Sequence, residues 1–152
     1  MTTIRVRAHY PETPAVIWRE LRAIERHVTW MADARSLNFE TDQREGVGTA
    51  FRVRTKVGPF VTTDLMTITR WVPNRVMGVE HRGLVRGTGR FTLEPDPAGT
   101  EITWEETLHF PWWFAGPLGS AIAAPILRRI WTANLARFGD ELPPDTPHHT
   151  TG

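Results

Sequence analysis

Phe110-Pro111-Trp112-Trp113-Phe114-Ala115-Gly116-Pro117-Leu118-Gly119 lies inside a run of twenty-one residues, between Glu106 and Arg128, that contains no Asp, Glu, Lys or Arg. An amphipathic segment follows, Ile126-Leu127-Arg128-Arg129-Ile130-Trp131-Thr132-Ala133-Asn134-Leu135-Ala136-Arg137-Phe138. By length the uncharged run could span a bilayer, which takes about 20 predominantly apolar residues. By content it does not suit one. Pro111, Pro117 and Pro125, with Gly116 and Gly119, interrupt it, and each proline inside a helix costs roughly 3 kcal/mol unless neighbours compensate. The run therefore divides into the end of a strand, an aromatic hinge and the start of a long C-terminal helix. On that helix Leu127, Trp131, Leu135, Phe138 and Leu142 recur at spacings of three and four, an apolar stripe facing one way. Pro143-Pro144 stops it.

Working back from the helix, the chain reads as strands. Ile102, Trp104, Glu106, Leu108 and Phe110 alternate with polar residues, the period of a half-buried strand. Val85 to Glu94, Val76 to His81 and Phe60 to Trp71 precede it, separated by Pro95-Asp96-Pro97, Gly83 and Pro73-Asn74. Phe51, Val53, Thr55 and Val57 alternate with Arg52, Arg54 and Lys56, and Leu37 and Phe39 start the series. Ile4 to Tyr10 is a further strand. After it, Thr13 is expected as an N-cap with Pro14 at the first helical position. Ile17, Leu21 and Ile24 then share one face of a short helix, and a second short helical piece spans about Glu25 to Met31.

Strands joined by tight turns form an antiparallel sheet, and the C-terminal helix is the only element long enough to cover one face of it. The expected fold is α+β: a bent antiparallel sheet of about seven strands wrapped around that helix, with two short helices after the first strand. Its 152 residues predict one domain, residues 1–143, with 144–152 a polar tail expected to be disordered.

Composition narrows the function. A formal charge of +1, with bases scattered among acids, argues against nucleic acid. Lys56 is the only lysine among eighteen bases. The absence of cysteine removes disulfides, thiolate nucleophiles and thiolate metal sites. No pair of histidines has metal-ligand spacing on a helix, no serine stands at a nucleophile elbow, and Gly87-Thr88-Gly89 opens no helix and so cradles no phosphate. No metal or cofactor is expected. Met1-Thr2-Thr3-Ile4-Arg5 lacks the apolar core of a signal peptide, which makes the cytoplasm the expected location. Several of the seven tryptophans must line something apolar, whether a core or a cavity.

Several segments resemble the START and birch-pollen-allergen superfamily of helix-grip proteins, and more closely its bacterial polyketide cyclase/dehydrase and lipid-transport branch. They are Pro11-Glu12-Thr13-Pro14-Ala15-Val16-Ile17-Trp18 after the first strand, Trp30 in the second helix, Ile68 to Val76 around Pro73-Asn74, Gly99-Thr100-Glu101-Ile102-Thr103-Trp104, and Asn134-Leu135-Ala136-Arg137-Phe138. The resemblance covers about residues 3 to 142. It implies a small hydrophobic ligand, of lipid, polyketide or isoprenoid type, held between sheet and helix. It carries over no catalytic residues, because the superfamily shares none.

Expected cavity residues are Trp30, Phe51, Val53, Met77, Val79, Phe91, Trp104, Leu127, Trp131 and Asn134. Glu106, in phase with Trp104 and Leu108, is expected to face inward. An apolar surround disfavours a charged carboxylate, which suits acid–base work. The opposing readings are a phase slip that exposes it, or an ion pair with Arg86 or Arg90. His81, in phase with Met77 and Val79, is the second acid–base candidate, whereas His109 is expected outside. Asp64 faces inward only if Met66 and Ile68 do, and the phase Leu65, Thr67, Thr69, Trp71 is equally credible. Asn134 either meets a ligand or, the favoured reading, bonds the backbone of a nearby strand. Trp112, Trp113 and Phe114 form either a portal, open to transient membrane or partner contact, or a packed rim. Three functions follow: a carrier of a hydrophobic molecule, a cyclase/dehydratase using Glu106 and His81, or a partner-binding module using the Trp112-Trp113-Phe114 patch.

Overall fold

The computed structural model describes residues 1–111 and 116–143. The expected portal, Trp112 to Phe114, and the tail, 144–152, lie outside the described residues. Seven strands, β1 (Thr2–Tyr10), β2 (Ala34–Phe39), β3 (Ala50–Val57), β4 (Phe60–Val72), β5 (Val76–Arg82), β6 (Arg86–Asp96) and β7 (Gly99–His109), form one antiparallel sheet in the order β1-β7-β6-β5-β4-β3-β2. Helices α1 (Pro14–Leu21) and α2 (His27–Trp30) follow β1, with a single 3-10 turn at Ile24–Arg26 between them. Helix α3 (Gly116–Glu141) crosses the concave face.

Two boundaries differ from the sequence expectation. Helix α3 begins at Gly116, so the second half of the expected hinge is helical. Pro117 falls in the first turn, where no intrahelical N–H bond is lost. Pro125 lies inside the helix on its exposed side, at the cost of one backbone bond. Strand β6 continues through Pro95 to Asp96. Its partner β5 has already ended there, since their pairing stops at Val76↔Thr92; the proline's missing N–H therefore faces no β5 neighbour. Thr13 does precede α1, but its side chain makes no capping hydrogen bond.

The apolar stripe of α3 is buried as its spacing requires: Trp131, Leu135 and Phe138 lie in the core, with Leu142 just beyond the helix. Tyr10 anchors the helix to β1 by donating its hydroxyl to the Leu135 carbonyl at 2.6 Å. Gly139 permits the approach, because a Cβ there would stand 2.7 Å from the Tyr10 ring. Rings fill the space on this side. Trp104 stacks on Trp131 at 4.9 Å, and Trp30 contacts Phe91, Trp104 and Phe138 edge-on. Such pairs contribute about 0.5–1.5 kcal/mol each beyond their burial. His27 is buried against this cluster and hydrogen-bonded at 2.7 Å to the Leu21 carbonyl. Burial pushes its pKa down to about 4. Among the described residues no helix is long and apolar enough to cross a membrane.

Candidate functional site

The strand register lays the concave face out in rows. One row runs Val6, Trp104, Phe91, Met77. The next runs Ile4, Glu106, Gly89, Val79, Ile68. The third runs Leu108, Gly87, His81, Met66, Phe51. The first row belongs to the aromatic cluster. The other two place a carboxyl group and an imidazole on an otherwise apolar wall, two strands apart.

They meet across β6. His81 Nε2 lies 2.7 Å from a Glu106 carboxyl oxygen, and Trp104 Nε1 donates to the other oxygen at 2.9 Å. Glu106 is 6 % exposed. The bridge is possible because the intervening strand has no side chain at the crossing point. A Cβ on Gly89 would stand 2.3–2.4 Å from the carboxyl atoms of Glu106, well inside contact distance. At Gly87, with φ 153°, a Cβ would stand 1.9 Å from the Thr107 carbonyl. Strand glycines commonly mark such close approaches.

Two influences compete on His81. Burial disfavours the imidazolium, while the charge and hydrogen bond of Glu106, helped by the charge of Asp64, favour it. The second influence wins and the pKa is raised above 6.5. Asp64 is buried on the same face, accepting hydrogen bonds from the Thr62 hydroxyl at 2.8 Å and the Leu84 N–H at 3.0 Å. A buried acid–base pair in mutual contact, with a second carboxyl group nearby, can hold a proton in more than one place. His81 borders an open groove of about 580 Å³ along the β5–β6 hairpin, beside Arg82, Arg86 and Gly87.

The remaining expected residues divide by environment. Trp30, Phe91, Trp104 and Trp131 pack on one another, and Met77 lies in the same core. Phe51 and Val53 are buried on β3, while Val79 and Leu127 are half-buried against the core. Asn134 is fully buried, but its amide is used locally. It donates to Asp33 at 2.8 Å and accepts from the Ala32 N–H at 3.1 Å and from Arg137. Asp33 and Ala32 lie in the loop between α2 and β2. Arg86 and Arg90 leave Glu106 alone; Arg90 pairs with Glu105 instead, at 3.1 Å. His109 is exposed. Asp33, which also lies 3.4 Å from Trp131 Nε1, was announced by no periodic pattern. Among the described residues no group of three or more His, Cys, Asp or Glu is placed to hold a metal ion.

The sequence pattern of the family described as polyketide cyclase / dehydrase and lipid transport matches residues 1–143. No curated protein sequence matches the chain. Among solved structures, the TTHA0849 protein of Thermus thermophilus is similar with a TM-score of 0.80 at 16% identity, over 91% of this chain and 94% of that one. The Zhui aromatase/cyclase from Streptomyces sp. R1128 gives 0.72 at 13% identity, over 91% and 92%. The di-domain ARO/CYC StfQ from the steffimycin biosynthetic pathway gives 0.72 at 14%, over 91% of this chain and 49% of that one. At these identities the likeness is one of fold.

Proposed function

This chain belongs to the polyketide cyclase / dehydrase and lipid transport family, and from that premise we propose that it binds a small hydrophobic molecule between the sheet and α3, with a polar group of that molecule directed at Glu106 and His81. The observation that carries the reading is the 2.7 Å contact between these two side chains on an apolar wall. Ligand sites combine apolar lining with a few placed polar groups. Here the lining comes from Phe51, Met66, Val79 and Leu108, and the polar groups from the pair. The rings of Trp104 and Trp131 bound the site and supply a signal. Titration with lipids, aromatic polyketides and isoprenoids should quench tryptophan emission for ligands that enter. Native mass spectrometry of the protein purified from its own host should then show the class that stays bound. No quenching by any class, together with empty protein from the host, would overturn the reading.

The same contact favours a second reading, acid–base catalysis of a cyclase/dehydratase type. His81, held protonated, would deliver a proton to a ligand oxygen, and Glu106 would stabilise the imidazolium. Glu106→Gln separates the two. A carrier keeps its affinity within about tenfold, because the amide still offers a hydrogen-bonding oxygen and a neutral hydrogen bond contributes about 0.5–1.5 kcal/mol. An enzyme loses about 10²–10⁴ in turnover. The partner-module reading rests on Trp112, Trp113 and Phe114, outside the described residues.

A further inference from the structure

Apart from Val47, in the β2–β3 connection, the large hydrophobic side chains that remain exposed are not scattered. The register brings the β3–β4 turn at Gly58-Pro59, the β5–β6 turn at Gly83 to Val85, the end of β7 and the start of β1 to one end of the sheet. Helix α3 starts at that end, directly after β7. Val61 stands at the first turn and Leu84 in the second, while Ile122 and Ile126 lie one helical turn apart on α3; all four are exposed. Phe60, beside Val61, is exposed as well.

Charge is distributed the same way. Arg54 and Lys56 flank the first turn, Arg86 the second, and Arg128 and Arg129 follow Ile126. All five are exposed, and none is in an ion pair among the described residues. At the other end of the sheet carboxylates are more numerous and match part of the cations, though Arg44 and Arg75 there are in no ion pair among the described residues. Arg22 pairs with Glu45, and Arg26 with Glu20 and Glu141.

We propose that this end of the molecule docks on an anionic membrane surface, with Val61, Leu84, Ile122 and Ile126 entering the headgroup layer and the five cations meeting lipid phosphates. Apolar side chains at turn tips and on a helix, interleaved with arginine and lysine, are suited to that layer. The apolar atoms leave water, and the long basic side chains reach back to the charged surface. Each cation near an anionic surface adds to the attraction, and salt weakens it. The unmatched charge selects a bilayer over an apolar protein partner. The proposal goes beyond ligand binding and does not need it.

The test is co-sedimentation of the full chain with phosphatidylcholine vesicles, with and without phosphatidylglycerol, at low and high salt. Binding is expected only to the phosphatidylglycerol vesicles, and mostly at low salt. Lys56→Gln with Arg86→Gln should weaken partitioning about thirtyfold, from the attraction of two cations at the surface. Val61→Asp with Leu84→Asp should abolish it. Arg22→Gln with Glu45→Gln, at the far end, should change nothing. Circular dichroism checks folding, and if the aspartate variant does not fold, the glutamine variant and the salt dependence decide. Equal binding to both vesicle types, no binding to either, or unchanged binding of the glutamine variant would each overturn the proposal. So would concentration-dependent self-association that the aspartate variant abolishes, which would make the patch a protein interface. Tryptophan quenching by soluble ligands reports the internal site separately, so the two readings fail independently.

Discussion

Glu105 and Glu106 are neighbours on β7, yet they occupy opposite faces of the sheet and opposite chemical situations. Glu105 lies on the convex face between two arginines. Arg5 donates from Nε at 2.7 Å and also from its terminal nitrogen, and Arg90 donates at 3.1 Å. Its partners never release their protons, and their hydrogen bonds and charges hold its carboxyl below the usual range. Glu106 lies on the concave face against an imidazole and an indole. Its partner is an imidazole, which can gain and lose its proton. Pairing alone does not distinguish a functional carboxyl group from a structural one. What differs is whether the partner can change its protonation, and whether water is excluded from the contact.

The largest way to break this contrast is Glu106→Gln. It leaves His81 buried without its counter-charge, a change that costs about 3–5 kcal/mol when a buried charge cannot escape. An imidazole can escape by losing its proton, so the cost depends on pH. The folded-state pKa of His81 is raised above 6.5. The pair therefore stabilises the fold fully below about 6.5, the unfolded value, and the contribution is lost as pH rises through the raised folded value. Chemical denaturation at several pH values should show the largest loss in the variant on the acid side and a small one in alkali. A loss independent of pH would mean that His81 is not charged in the fold.

His27 supplies a pH dependence of the opposite sign, which must be separated from that of the pair. Its pKa falls from 6.5 to about 4 on burial. Below about 6.5 the unfolded chain takes up a proton that the folded chain refuses until about 4, so stability is lost across that window. The shift corresponds to roughly 3 kcal/mol. His27→Gln keeps a donor for the Leu21 carbonyl and removes the titration. Its stability should be flatter between those pH values than that of the unsubstituted protein; equal acid sensitivity would place the titration elsewhere.

Gly89→Ala tests the crossing itself. A Cβ would displace the Glu106 carboxyl group, which is the far end of a flexible chain and can swing aside, so about 1–3 kcal/mol is expected. The His81 titration, followed by NMR, should move down toward 6.5 as the contact is lost. An unchanged titration would show that the glycine is not what admits the bridge.

The alternation along β7 made the inward facing of Glu106 legible from sequence. Its partner was harder to see, because β5 reaches β7 only through the bare positions of β6, and two strand glycines do not say what crosses them. Strand β4 shows a different obstacle. Its two phases both carried apolar residues, and each is correct over part of its length. A register shift between Ile68 and Arg70 lets Asp64 and Ile68 face the core before it and returns Trp71 to the same face after it, against Trp18 at 5.1 Å. A bulge changes phase without a residue type that announces it. The buried amide of Asn134 was placed correctly beside the helix stripe, but its partner Asp33 sits in a loop, where periodicity carries no information.

The smallest effect is expected at the structural member of the contrast. Glu105→Gln removes one charge from a site whose arginines are about half exposed, with side-chain exposures of 52% and 54%. Solvent and salt already screen such contacts, so the loss should be below about 1 kcal/mol and should shrink further in high salt. The amide can still accept a hydrogen bond from one arginine, which keeps β1, β7 and β6 in register. Ligand affinity and the titration of His81 should not move, because Glu105 shares no face with either. If Glu105→Gln changed ligand affinity as much as Glu106→Gln, the charge on β7 would be acting through the sheet as a whole, and the division between its two faces would not hold.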